Sequence, residues 1–361
     1  MTRLDHRIFD LDGQSLHAVI TGDGPPVVFC HGFPGLWYSW RKQLPVVAAA
    51  GFRAIAVDQR GYGRSDRPVD PALYDANVVM QDMLRLLDAL GLERAVFVGH
   101  DFGAQQVCNL AARHADRVAG VVIMSCPYDF DLAGRGGRGR DKRETGEGSF
   151  ATGLRPSEAF AAVAKQHFFH MHYFQSIGPA ERELGAAPRE FLQRLFWALS
   201  SKGELARYKD FPSEGTGYLD VLPSAPPLPW PWMSEADMDF YAEEFSRGGP
   251  DTAFIGGLNS YRVADRNWEL GEPWADAHIE VPALFIAGAD DIVLQMVGPA
   301  AIDSMRARIP DLRDVVLVPE AGHFVQMEQA DAVNAALLAF LRSLSARSAQ
   351  PIIRSHAGDL S

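Results

Sequence analysis

Little in this sequence is suited to bind a metal, cross a bilayer or attract nucleic acid. Three cysteines, Cys30, Cys108 and Cys126, are spread over 361 residues, in or beside apolar segments and without metal-ligand spacing. That excludes a disulfide-stapled scaffold and predicts reduced thiols in a core. Basic residues are in deficit, 34 Lys and Arg against 46 Asp and Glu, and the net charge of −12 argues against a nucleic-acid partner. No apolar run is long enough to span a membrane, and the opening "MTRLDHRIFDLDG" lacks the hydrophobic stretch of an export signal. The expectation is a cytoplasmic protein without membrane association, metal or cofactor. Internal repeats are also missing.

What the chain does have is alternation. Two short extended segments, 8–11 and 16–20, flank "DGQS" and read as a hairpin. Near-continuous apolar runs follow: "PPVVFC", "RAIAVD", "AVFVG" and "VAGVVIMS". Between them, 81–90 and 104–114 carry apolar residues at helical spacing. Buried strands between helices predict a mostly parallel sheet covered on both faces. The alternation stops after Ser125 and resumes at "VPALFIAGAD" and "RDVVLVPEAGH", before a closing helix over 329–344. The intervening residues 126–275 hold 23 of the chain's 37 aromatics and a Pro-rich stretch, "LPSAPPLPWPW". They read as a mostly helical cap inserted into an α/β core made of 1–125 and 276–345, with a frayed tail over 346–361. The rings supply the cap's own core, a pocket wall for an apolar ligand, or both. "RGGRGRDKR" at 135–143 reads as a solvated loop.

The chemistry concentrates at "GHDFG", where the strand "AVFVG" turns into a helix. Asp101 stands at that corner with Gly99 and Gly103 two residues to either side, the small neighbours that a tight strand–helix turn requires. "GADD" follows the next-to-last strand and "EAGHF" the last, so acid and histidine come after the nucleophile in the order of the α/β-hydrolase fold. His323 is then the base and Asp291 its orienting acid. Asp290 is an adjacent alternative, and Asp129 a more distant one. After the first inner strand, "HGFPG" aims the Phe33 N–H inward. With the Phe102 N–H it forms an oxyanion hole, while His31 reads as structural. "DQRGYGRSDRP" reads as a shaped loop behind the site.

A carboxylate at this corner has a chemical reason. Serine attacking a saturated carbon gives an ether that water cannot cleave under mild conditions; aspartate gives an ester that water can. An opening epoxide further needs a proton donor for its oxygen, and the cap offers Tyr173 in "HMHYFQ" and Tyr261 in "LNSYR", though either hydroxyl could equally serve packing.

In order, "HGFPGLWYSW", "GHDFG", "YFQ", "LNSYR" with "RNW", and "AGH" resemble the epoxide hydrolases of the α/β-hydrolase superfamily, from about Gly24 to Leu344. The resemblance implies Asp101 as nucleophile, Asp291 and His323 as the water-activating pair, and Tyr173 and Tyr261 as two cap tyrosines holding the oxygen of a small apolar epoxide. Oligomeric state stays open. Phe102 departs from the Trp common at its position. A haloalkane dehalogenase shares the nucleophile but would be expected to carry that Trp as a halide donor. A fluoroacetate dehalogenase would be expected to show Arg there. A non-catalytic binding protein of this fold would be expected to lack a triad member.

Overall fold

The computed structural model describes residues 3–128, 154–204 and 208–348. The basic stretch 135–143, the alternative acid Asp129 and the tail beyond 348 lie outside the described residues. Eight strands form one sheet: β1 (Asp5–Asp10), β2 (Ser15–Thr21), β3 (Pro26–Cys30), β4 (Arg53–Asp58), β5 (Ala95–His100), β6 (Val118–Met124), β7 (Ala283–Gly288) and β8 (Leu312–Val318). Their order is β1-β2-β4-β3-β5-β6-β7-β8. β2 pairs antiparallel with both β1 and β4, and the other neighbours are parallel. This is the mostly parallel α/β-hydrolase sheet expected from the alternation.

Period-two alternation sends the two faces of each strand into different cores. Val28, Cys30, Ile55, Val57 and Phe97 pack under the helices Ala76–Ala89 and Phe102–Arg113. Val27, Phe29, Ala54, Ala56, Val96 and Val98 pack under Leu44–Ala49 and the closing helix Ala330–Ser348. Because both faces are covered, the strands read as unbroken apolar runs. The helix expected at 81–90 begins earlier, at Ala76, because the Asp75 carboxylate accepts the N–H groups of Asn77 and Val78 and caps it.

Between β6 and β7 the described residues form helices, among them Pro156–Ala164, His170–Tyr173, Pro179–Ala186, Pro188–Ala198, Glu235–Ser246 and Ile255–Arg262. Phe168, Phe174, Phe191, Phe196, Tyr241 and Phe254 give them a core of their own, which reaches Phe33 and Phe324 on the sheet side. The loop after β4 fastens these helices down. Arg64 pairs with buried Glu244 at 3.0 Å, and the Arg67 guanidinium donates to the carbonyls of Glu244, Phe245, Thr252 and Ala253. The "DQRGYGRSDRP" loop is therefore a clamp between sheet and inserted helices. Among the described residues, no helix is long and apolar enough to cross a membrane.

Candidate active site

β5 runs up the middle of the sheet and ends at His100. Asp101 follows with φ 55° and ψ −120°, a conformation that costs a non-glycine residue about 1–3 kcal/mol, before the helix Phe102–Arg113 begins. The corner closes only around small residues. A Cβ on Gly99 would lie 2.2 Å from the Gly103 carbonyl oxygen, and one on Gly103 would lie 2.2 Å from that of Cys30. The strain lifts the Asp101 carboxylate out at the carboxyl end of the sheet, where open α/β sheets place ligands.

Two groups from separate loops meet that carboxylate, and the next residue along the chain adds a free N–H. The Phe33 N–H, after β3, donates to Asp101 Oδ1 at 2.8 Å. Phe102 opens the helix, and the N–H of a first helical residue has no partner within its own helix. His323, after β8, places Nε2 3.6 Å from Asp101 Oδ2. Its Nδ1 lies 3.2 and 3.3 Å from the two oxygens of Asp291, which is fully buried. Asp291 also caps the helix Ile292–Val297 by accepting the Val293 N–H, so its carboxylate is held from two sides. Asp290 is exposed, and the buried neighbour is the one facing His323.

His31 turns away from chemistry. Its Nε2 accepts the Gln59 N–H at 3.1 Å, which leaves Nδ1 to donate to the Gly32 carbonyl at 2.8 Å. The three cysteines are buried and unpaired. Among the described residues, no cluster of three or more His, Cys, Asp or Glu is placed to hold a metal ion.

Burial works against charge on His323, but the Asp291 carboxylate and the contact with Asp101 outweigh it and raise its pKa to about 10. Burial likewise opposes the Asp101 anion, and the His323 contact together with the Phe33 N–H more than compensates, holding the carboxyl below its usual range. Asp101 and His323 thus stand as an ion pair at the edge of a largely apolar cavity. Replacing Asp101 by Asn removes one of the two anions facing the imidazole. His323 is then expected to titrate well below about 10, which ring NMR signals followed across pH would read. An unchanged titration would mean that Asp291 alone sustains the charge.

The two cap tyrosines part company. Tyr261 lines the cavity with Asp101 and His323, its ring edge-on to Phe102 at 4.9 Å. Tyr173 does not line it: its hydroxyl donates to Glu183 Oε2 at 2.7 Å. Glu183 also accepts the N–H groups of Tyr218 and Leu219, so the Tyr173 hydroxyl is spent on tying the inserted helices together. This corrects its expected placement beside the nucleophile. One turn earlier on the same short helix, His170 lines the cavity, as do Tyr208 and Tyr218. None of the three was expected there: Tyr208 and Tyr218 stand outside the motifs, and His170 is one of three histidines in "HFFHMHYFQ", with nothing in the sequence to tell which of them faces the cavity.

The histidine loop is held by groups that no motif advertised. His323 N–H donates to the Leu199 carbonyl of the inserted helices at 2.9 Å. The Glu328 carboxylate accepts from the backbone N–H groups of Ser201, Gly322 and Phe324, at 2.9, 3.0 and 3.2 Å.

The chain is similar to known proteins over nearly its whole length. The family model of the alpha/beta hydrolase fold matches residues 25–330. Epoxide hydrolase A of Mycobacterium tuberculosis is 39% identical over 344 residues, covering 94% of this chain and 98% of that protein. An epoxide hydrolase of Caballeronia sordidicola is 36% identical, covering 93% of each. The solved structure of an epoxide hydrolase from an endophytic Streptomyces superposes with a TM-score of 0.83 at 36% identity, over 95% of this chain and 96% of that one. By sequence and by fold, the chain belongs to the epoxide hydrolase family of the α/β-hydrolase superfamily.

Proposed function

We propose that this protein hydrolyses small apolar epoxides to vicinal diols through a covalent ester on Asp101, with the inserted helices of 126–275 acting as the cap over the site. The observation that carries the reading is the Asp101 carboxylate itself: it is positioned by the Phe33 N–H, faces His323, and opens into a cavity walled largely by aromatic and aliphatic side chains.

In the first step Asp101 attacks an epoxide carbon from the sheet side. The carbon–oxygen bond breaks, its electron pair stays on the oxygen, and the Tyr261 hydroxyl supplies the proton, leaving a tyrosinate. Esterification removes the Asp101 charge, and with it part of what keeps His323 protonated. The imidazolium proton can then return to Tyr261 through solvent, freeing His323 as a base. His323 takes a proton from water as that water attacks the Asp101 carbonyl carbon. The Phe33 and Phe102 N–H groups hold the resulting oxyanion, and one such donor is typically worth about 3–4 kcal/mol. As the intermediate collapses, the ester carbon–oxygen bond breaks and the released alkoxide takes the second proton of the attacking water, so the diol leaves neutral and Asp101 and His323 regain the charges they began with.

Epoxide chemistry is favoured over halide displacement because, among the described residues, no tryptophan lines the cavity, whereas tyrosine hydroxyls do. The indole N–H expected of a haloalkane dehalogenase as its halide donor is thus missing from the described cavity lining.

The test is a single turnover in ¹⁸O-water with whichever of styrene-type, terpene and fatty-acid epoxides is turned over fastest. Unlabelled enzyme should deliver a first diol carrying mostly ¹⁶O, drawn from the Asp101 carboxylate, with ¹⁸O appearing in later cycles. Full label in the first diol would mean direct attack by water and no ester.

A further inference from the structure

We infer that His170 is a catalytic residue of the alkylation step, sharing the epoxide oxygen with Tyr261; the inference rests on the epoxide reading above. His170 lines the same cavity as Asp101 and stands edge-on to the Tyr261 ring, with centroids 5.6 Å apart at 89°. Its ring lies nearly parallel to those of Tyr218, at 5.5 Å and 11°, and Tyr208, at 5.5 Å and 26°, which stand 6.3 Å from each other. An imidazole presents its N–H only along its edge, and that edge is unused. Nδ1 is covered yet unpartnered, and among the described residues neither ring nitrogen makes a hydrogen bond. A buried polar atom without a partner is uncommon and calls for an explanation, and a ligand oxygen provides one.

The other hydroxyls are wholly or partly engaged. The Tyr173 hydroxyl is held by Glu183, and those of Tyr208 and Tyr218 meet each other at 3.1 Å, which uses one of their two protons. The Tyr261 hydroxyl, like His170, has no hydrogen-bond partner among the described residues. Asp101, His170 and Tyr261 line one and the same cavity.

The two groups divide the work. Burial lowers the His170 pKa to about 4, so at neutral pH the ring is uncharged and carries one N–H. It donates a hydrogen bond to the oxygen as the carbon–oxygen bond breaks and keeps its proton throughout. The proton that ends on the oxygen comes from Tyr261. This splits the task between a proton donor and a hydrogen-bond donor, where two tyrosines were expected.

The test compares His170→Phe, Tyr173→Phe, His170→Asn and His170→Gln with wild type in rapid-mixing experiments that separate ester formation from ester hydrolysis, using the best substrate of the panel above. Melting curves of the free proteins establish that each variant folds. His170→Phe keeps a stacking ring and removes the donor; ester formation should slow by about 10–100-fold, as for loss of an oriented donor, while ester hydrolysis changes less than about threefold. Tyr173→Phe should leave both steps within about threefold of wild type. Asn carries an amide N–H near the place of Nδ1 and Gln near that of Nε2, so one of them should recover much of the lost rate and thereby identify the donating nitrogen. An unslowed His170→Phe overturns the inference, as does failure of both amides to recover any rate, which would assign the ring to packing. Wild-type enzyme that forms no ester with any epoxide overturns the functional reading itself, whereas ester formation by wild type alongside an unaffected His170→Phe removes only the role of His170.

Discussion

Replacing His323 by Gln should yield an enzyme that is alkylated once and stays alkylated. Ester formation needs the Asp101 carboxylate, the Phe33 N–H and the donors facing them, all of which remain. Ester hydrolysis needs a base beside the Asp101 carbonyl, and among the described residues His323 is the imidazole that contacts both the Asp101 and the Asp291 carboxylates. Glutamine has an amide where the basic nitrogen was and cannot accept a proton from water. General-base assistance is worth about 10²–10⁴-fold, so the second step should slow by at least that range while the first is largely spared. Intact mass spectrometry after mixing with excess epoxide should show the protein plus one substrate mass, and digestion should place it on the peptide containing Asp101. Wild-type turnover with no adduct would remove His323 from the mechanism.

The second large effect is expected at a residue that has no side chain of its own. A Cβ on Gly32 would lie 2.2 Å from Asp101 Oδ1, 2.4 Å from its Cβ and 2.7 Å from its Cγ. The strained backbone of Asp101 and the hydrogen bond from Phe33 leave that side chain little room to retreat. Gly32→Ala should therefore push the nucleophile off line and pull the adjoining Phe33 N–H out of place, in a protein that still folds. Displacement of a reacting group by about an ångström costs about 10²-fold, and loss of an oxyanion donor about 10²–10³-fold more. Ester formation is expected to fall by at least about 10²-fold. Gly271, whose added Cβ would meet nothing within 4 Å, is the matched control and should be indifferent to alanine. A folded Gly32→Ala enzyme with wild-type ester formation would show that the nucleophile is less tightly set than its contacts indicate.

The strands of the sheet were legible because burial on both faces leaves runs such as "RAIAVD" almost wholly apolar, and the observed β4 spans the same six residues. Asp101 was legible for a related reason: a strained corner tolerates only small neighbours, and glycines at fixed offsets write that constraint into the chain. The choice between Asp290 and Asp291 was not, since adjacent residues differ only in which one the following helix turns inward. The donors of the inserted helices were least legible. Helical turns bring residues three and four apart to the same side, so "HMHYFQ" offers several side chains at nearly the same height. Which of them enters the cavity depends on distant partners, here the Glu183 carboxylate that claims the Tyr173 hydroxyl. Glu328, with three backbone N–H groups converging on it, left no pattern at all, because backbone donors carry no residue identity.

The seam between the histidine loop and the inserted helices bears on how such enzymes can be re-engineered. His323 hangs by its backbone from the Leu199 carbonyl, Glu328 bridges Ser201 to Gly322, and a Cβ on Gly322 would lie 2.4 Å from the Ser201 nitrogen. The segment that walls the cavity is thus also the bracket on which His323 is mounted. A chimera that grafts another family member's helical insert onto this sheet exchanges both at once. Such grafts should succeed when residues 199–201 and the stretch 320–328 travel together as one cassette, and should give well-folded but sluggish proteins when the seam is cut between them.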